Sequence, residues 1–159
     1  MKVAWLDDLP QQGRALVRLT GPDARRFLQG TITADIERLA PDEAAAGALL
    51  TVKGKIVTEL VAARASTDAI DLWLPRDIVD EIVVLLDRHI VMDDVTVTRD
   101  AEAIAAIVWD EDDPEARPEL GVSTFATRHP LPGWLVTGEA ATLRAALAAA
   151  QSIDAATFE

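Results

Sequence analysis

The chain has 159 residues, 50% of them hydrophobic and 26% charged, which suits one compact core and argues against disorder. Lys and Arg total 15 against 27 Asp and Glu, a formal net charge of −12, so no basic face is at hand to neutralise phosphates, and direct nucleic-acid binding is not expected. There is no cysteine, which excludes disulfides, thiol nucleophiles and thiolate-held zinc or iron–sulfur clusters within these residues.

The opening, MKVAWLDDLP, has one lysine, two early acids and no long apolar run. It does not read as a signal peptide, and no stretch nears the ~18 apolar residues of a membrane span. A soluble, cytoplasmic protein is expected. The apolar run 15–19 predicts a strand, broken by Thr20-Gly21-Pro22-Asp23, where Thr20 or Asp23 is placed to cap a helix over 24–28. Glu37-Arg38-Leu39 predict a second short helical turn, stopped by Pro41-Asp42. Runs 46–52 and 56–65 flank Lys53-Gly54-Lys55 and predict a hairpin. Ser66-Thr67-Asp68 then turns the chain into a third strand, 70–74.

Pro75-Arg76-Asp77 opens a helix over 76–89, with Ile78, Ile82, Leu85 and Leu86 on one face and Asp80, Glu81, Asp87 and Arg88 on the other. That apolar face is expected to cover the sheet made by the three preceding strands. Residues 95–98 and 103–109 predict strands. Asp110-Glu111-Asp112-Asp113-Pro114 predicts a solvated loop, because the glycine and terminal glutamate of a calcium loop are out of place. Residues 133–137 predict a strand and 139–150 an alanine-rich helix with Leu143 and Leu147 one turn apart. From Ile153 a further helix is expected, with Asp154 as its cap, so the chain reads as a fragment or a shortened protein. Without a βαβ pattern the class is α+β, antiparallel sheets with flanking helices.

Few side chains suggest chemistry. His89 ends the amphipathic helix, where a cation suits the helix dipole; His129 lies in Arg128-His129-Pro130 with nothing nearby to complete a triad. No catalytic or metal-ligating residue is nominated. Lys53 and Lys55 are two of only three lysines and flank Gly54. They make either a local anion contact or a solvated hairpin tip, and composition does not choose between these.

Three segments together carry a resemblance: Leu19-Thr20-Gly21-Pro22-Asp23-Ala24 with Phe27-Leu28-Gln29-Gly30, then Thr33-Ala34-Asp35-Ile36, then Lys53-Gly54-Lys55-Ile56. In this order and spacing they resemble the YgfZ and glycine-cleavage T-protein superfamily of folate-binding proteins. The likeness covers nearly the whole chain but only the N-terminal half or so of a typical member. It implies that 1–159 is an N-terminal folate-binding-like region with the C-terminal part absent, within which the meander and helix over 46–98 are a candidate subdomain. T-proteins carry an aspartate four residues after the hairpin glycine; here that slot is Thr58, whose hydroxyl cannot take a proton as a carboxylate does. Glu59 is no substitute, since successive strand residues face opposite ways. T-proteins also tend to place a tyrosine in the strand before the hairpin, and this chain has none.

The chain is thus more similar to the YgfZ branch, whose hairpin tip resembles Lys53-Gly54-Lys55. That branch's Lys-Gly-Cys-Tyr signature, with its functional thiol, would lie beyond residue 159. The resemblance implies tetrahydrofolate or a derivative as cofactor. It also implies an accessory role in iron–sulfur protein maturation or repair, with client or assembly proteins as partners, and an indirect effect on tRNA modification. A folate-dependent aminomethyltransferase, or a truncated member that only binds a partner, are the alternatives. The folate is expected in a cleft between segments 29–35 and 53–58. Gln29 and Asp35 would meet the pterin edge, although Asp35 serves equally well as the cap of its own turn. Lys53 and Lys55, about Gly54, would meet the anionic tail, and Thr58 would border the former acidic slot.

Overall fold

The computed structural model describes residues 1–6, 13–128 and 133–153. Among these the chain forms β1 (Lys2–Trp5), β2 (Arg14–Thr20), α1 (Ala24–Gln29), β3 (Glu43–Leu50), β4 (Ile56–Ser66), β5 (Ala69–Pro75), α2 (Val79–His89), β6 (Thr96–Asp100), β7 (Ala103–Trp109), β8 (Ser123–Thr127), β9 (Trp134–Glu139), α3 (Ala140–Ala146) and β10 (Gln151–Ser152). The class is α+β, but the strands join one sheet of order β10-β1-β7-β9-β8-β3-β4-β5-β2-β6 instead of separate ones. Its pairs are antiparallel except β1–β10 and β3–β8. The β3–β8 seam joins the two meanders: the Ala126 amide donates to the Asp42 carbonyl (2.7 Å) and the Arg128 amide to that of Ala44 (2.9 Å).

The sheet buries apolar side chains on both faces, so strand alternation sorts them into layers. On β5, Ile70, Leu72 and Leu74 join one layer with Leu60, Ala62, Leu28, Ile82 and Leu86, beneath α1 and α2. Trp73 points into a second layer with Leu16, Val61, Ile107, Phe125 and Leu135. This layer draws strands from both halves of the sheet, and β2 comes against β7, so the sheet is curled on itself. A third layer packs α3 over β1, β7 and β9 through Leu143, Leu147, Ile104 and Val136.

Helix α2 carries the expected face: Ile82 and Leu86 are buried, with Ile78 and Leu85 packed half-buried beside them. It starts at Val79 because the Pro75-Arg76-Asp77 stretch is spent on a turn, closed by the Ile78 amide on the Pro75 carbonyl (3.3 Å). His89 is its last residue, and Nδ1 donates to the Leu85 carbonyl (2.6 Å). Residues 37–39 form a single hydrogen-bonded turn, Leu39 amide to Ile36 carbonyl, and not a helix. Helix α3 ends at Ala146, short of residue 150, because the chain turns there to lay β10 along β1; the Ile153 amide donates to the Val3 carbonyl (2.9 Å). His129 and the helix expected from Asp154 onward lie outside the described residues.

The Thr20-Gly21-Pro22-Asp23 turn has a tertiary role. Gly21 takes φ +131, and a Cβ there would sit 2.2 Å from the Asp94 carbonyl oxygen, so only glycine fits. Asp23 does not cap α1 with its side chain; its Oδ2 accepts from the Asp94 amide (2.8 Å). The acidic 110–114 loop is exposed beyond Asp110, which pairs with the N-terminal amine (3.6 Å), while Glu111 pairs with Lys2. The Asp112 amide and then the N-terminal charge hold the Asp110 carboxyl below the usual carboxylate range. No helix among the described residues is long and apolar enough to cross a membrane.

Candidate functional site

The residues nominated from the sequence lie along one end of β3 and β4. After α1, the Thr31 hydroxyl donates to the Phe27 carbonyl (2.7 Å), which turns the chain alongside β3. There Thr33 donates to the Ala48 carbonyl (2.9 Å), Leu50 to that of Thr31 (3.2 Å), and Ile32 bridges Leu49. Leu49 in turn is opposite Thr58 on β4. Segment 31–33, β3 and the base of the hairpin thus lie side by side.

Gln29 and Asp35 meet each other. Gln29 Nε2 donates to Asp35 Oδ1 (3.2 Å), and Gln29 Oε1 accepts from the Glu37 amide (3.0 Å). Asp35 Oδ1 also accepts from the Arg38 amide (3.3 Å), with Oδ2 3.6 Å from Arg38 Nε. Asp35 therefore caps its own turn, with its side chain still half exposed. No hydrogen bond or ion pair between described residues links either side chain to the hairpin.

At the hairpin tip, Thr51 organises the turn: its amide donates to the Lys55 carbonyl (2.8 Å), and its hydroxyl accepts from the Lys55 amide (3.1 Å). Gly54 takes φ +77, the left-handed value such a turn needs. Lys53 and Lys55 are exposed and make no ion pair with any described residue. Around them Val52 (87% exposed), Ile56 (72%) and Val57 (38%) are bare. Thr58 is buried and its hydroxyl donates to the Glu59 carbonyl (3.2 Å). The Glu59 carboxylate instead meets Arg14 Nη2 (2.7 Å).

A second polar cluster was not singled out from the sequence. Asp71, buried on β5, receives Arg18 Nε on Oδ1 (2.6 Å) and Arg18 Nη2 on Oδ2 (2.8 Å). The hydrogen bond to Asp71 raises the guanidinium's pKa, against the opposing effect of burial, with the charges of Asp71 and Asp100 adding to it. Beside this pair a cleft of about 290 Å³ opens between the sheet halves, with Trp73, Asp100, Glu102 and Glu139 in its lining. The available signal was one acid inside the apolar run Ile70-Asp71-Leu72-Trp73-Leu74, since a charge is buried in a strand only when paired.

No family model matches the chain. Over 119 residues it is 29% identical to the tRNA-modifying protein YgfZ of Serratia proteamaculans (strain 568), an alignment spanning 75% of this chain and 32% of that protein. Its fold matches the crystal structure of glycine cleavage system aminomethyltransferase T from Bartonella henselae with a TM-score of 0.69 at 12% identity, over 96% of this chain and 47% of that one. The chain therefore spans about a third of the curated relative and about half of the structural one. The resemblance read from the LTGPDA, FLQG, TADI and KGKI segments holds at both levels: the chain has the T-protein-like fold, and its sequence is similar to YgfZ.

Proposed function

We propose that this chain is the N-terminal, folate-binding portion of a YgfZ-like accessory protein that supports iron–sulfur protein maturation or repair, with an indirect effect on tRNA modification. The observation that carries the reading is the hairpin on a T-protein-like scaffold, with two lysines at its tip that pair with no described residue and a threonine where an aminomethyltransferase has its acid. The residues suit the two ends of a folate unequally. Lys53 and Lys55 are free to meet the anionic glutamate tail, and exposed Val52, Ile56 and Val57 offer the flat ring an apolar wall. Gln29 and Asp35 already bond each other, so what remains for a pterin edge is the half-exposed Asp35 carboxylate and the second N–H of Gln29 Nε2.

A bound tetrahydrofolate supplies a carrier for one-carbon groups. This chain's residues would hold and orient it; none of those at the hairpin is set to move a proton, because the Thr58 hydroxyl is turned to its own chain. That favours the accessory role over aminomethyl transfer. Client or assembly proteins are the implied partners, and the cytoplasm the implied compartment.

Titration of folinic acid by calorimetry tests the reading. Each exposed lysine contact is worth about 1 kcal/mol or less, so binding should be weak, fall with added salt, and weaken in a Lys53→Ala, Lys55→Ala double variant. Equal affinity in both proteins, or tight binding insensitive to salt, would return the lysines to a solubilising role. Steady turnover of an aminomethyl donor with tetrahydrofolate would overturn the accessory assignment.

A further inference from the structure

We propose that this chain pairs with a second copy of itself, the β3–β4 hairpin tip of each copy seated on α2 of the other. The inference stands on exposed side chains and chain path alone. It is independent of the folate reading, and its test is run without ligand.

Two surface patches are complementary in charge. At the tip, bare Val52, Ile56 and Val57 surround Lys53 and Lys55, neither of which makes an ion pair with a described residue. Apolar side chains left in water beside free charges have the make-up of a contact surface. On α2, Val84 is 50% exposed while Ile82 and Leu86 are buried. With half-buried Leu85 it lines an open recess of about 450 Å³, whose other walls are Asp80, Glu81 and Arg88. Asp80 is taken by Arg99. Glu81, and Asp77 in the turn before the helix, are exposed and make no ion pair with a described residue. The recess thus has an apolar floor and free carboxylates at the N-terminal end of α2. Like pairings are disfavoured, because tip on tip would set lysine against lysine, and helix on helix carboxylate against carboxylate.

The fold brings both patches to the same end of the sheet. Strand β5 runs antiparallel to β4, with Trp73 opposite Val61, and ends at Pro75. Arg14, opposite Pro75 on β2, reaches Glu59 on β4 (2.7 Å). The chain therefore leaves β5 level with the base of the hairpin and starts α2 there. Within one copy no ion pair between described residues joins the tip to the helix. A two-fold axis between two copies sets each tip on the other's recess at once, which closes the assembly as a dimer. Ile56 then fills the recess against Val84 and Leu85 of the second copy, while Lys53 and Lys55 meet its Asp77 and Glu81. Each copy carries a net charge of −12. At physiological ionic strength that repulsion is screened beyond about 8 Å, so the close pairs decide.

Sedimentation velocity on the ligand-free protein at about 0.15 M salt tests the pairing. The expected result is a monomer below about 5 µM and a dimer, with nothing larger, towards about 500 µM. Two charge-reversed variants, Lys53→Glu with Lys55→Glu and Asp77→Lys with Glu81→Lys, should each melt as the parent does and stay monomeric. Their equimolar mixture should dimerise again, a rescue that a folding defect would not give. Ile56→Glu, at an exposed position, should weaken the dimer at least about tenfold with an unchanged melting curve. A parent still monomeric at about 500 µM, species growing beyond the dimer, reversed variants that dimerise as the parent does, or a mixture that stays monomeric would each overturn the proposal.

Discussion

At the tip of the β3–β4 hairpin, Lys53 and Lys55 stand in water without an ion pair among the described residues, while across the β4–β5 pair Asp71 is 2% exposed and held by two hydrogen bonds from Arg18. The first arrangement leaves its charges to solvent. The second is satisfied internally and fixes a guanidinium at the mouth of a cleft. Exposed charges cost the fold almost nothing to change, whereas a buried carboxylate is safe only with its partner in place. Within one sheet, charge is left in solvent at one end and locked into a pair at the other.

The sharpest way to break this contrast is to put an unpaired charge where the structure has none. Ile82→Asp would bury a lone carboxylate under α2, in the layer with Leu60 and Leu72, at a cost of about 3 kcal/mol or more. A urea titration matching the parent would show that α2 faces elsewhere. Arg18→Ala leaves the Asp71 carboxylate stranded and should cost about 3 kcal/mol. Changing both residues, Arg18→Leu with Asp71→Leu, should recover much of that loss. If the double variant is no better than the single, the pair is not the source of the cost. Gly21→Ala asks whether a backbone contact matters as much as a charge: the new Cβ would collide with the Asp94 carbonyl, and about 2 kcal/mol should be lost.

Glu43 gives a smaller and pH-dependent effect. The Ala40 amide (2.8 Å) and then Arg128 (2.5 Å), against some desolvation, hold its carboxyl below the usual range. A carboxylate depressed in the folded state stabilises fully above its unfolded pKa of about 4.3 and loses that contribution as pH falls through the folded value. Glu43→Gln should therefore lower the melting temperature more near pH 7 than near about pH 3, because the gap closes as pH falls through the folded value. A constant gap at both pH values would mean the charge is not what Glu43 contributes. Smallest of all, the Lys53→Ala, Lys55→Ala double variant should change stability by no more than about 0.5 kcal/mol, checked by the same urea titration.

The β3–β4 hairpin was legible in the sequence, though not how the side chains around it are wired. Lys53-Gly54-Lys55 read as a hairpin tip, and Thr58 read as a residue facing away from Glu59. The hydrogen bond between Gln29 and Asp35 was out of reach, because the intervening chain, residues 30–34, has to fold back before the two side chains meet. Asp71 was visible only as an oddity in an apolar run, since its partner lies 53 positions away.

The strands β2, β4, β5 and β7 and the buried face of α2 follow from local pattern, because side-chain period and turn chemistry are properties of neighbouring residues. Strands β1, β8 and β10 did not stand out. β10 has two residues and β8, Ser123–Thr127, is short and partly polar, so their identity as strands depends on the edges they join. Pairing partners, the two parallel seams and the curl that encloses Trp73 are set by contacts between residues far apart in sequence. A strand's own residues determine which face is apolar, while only the closed tertiary structure decides what that face meets.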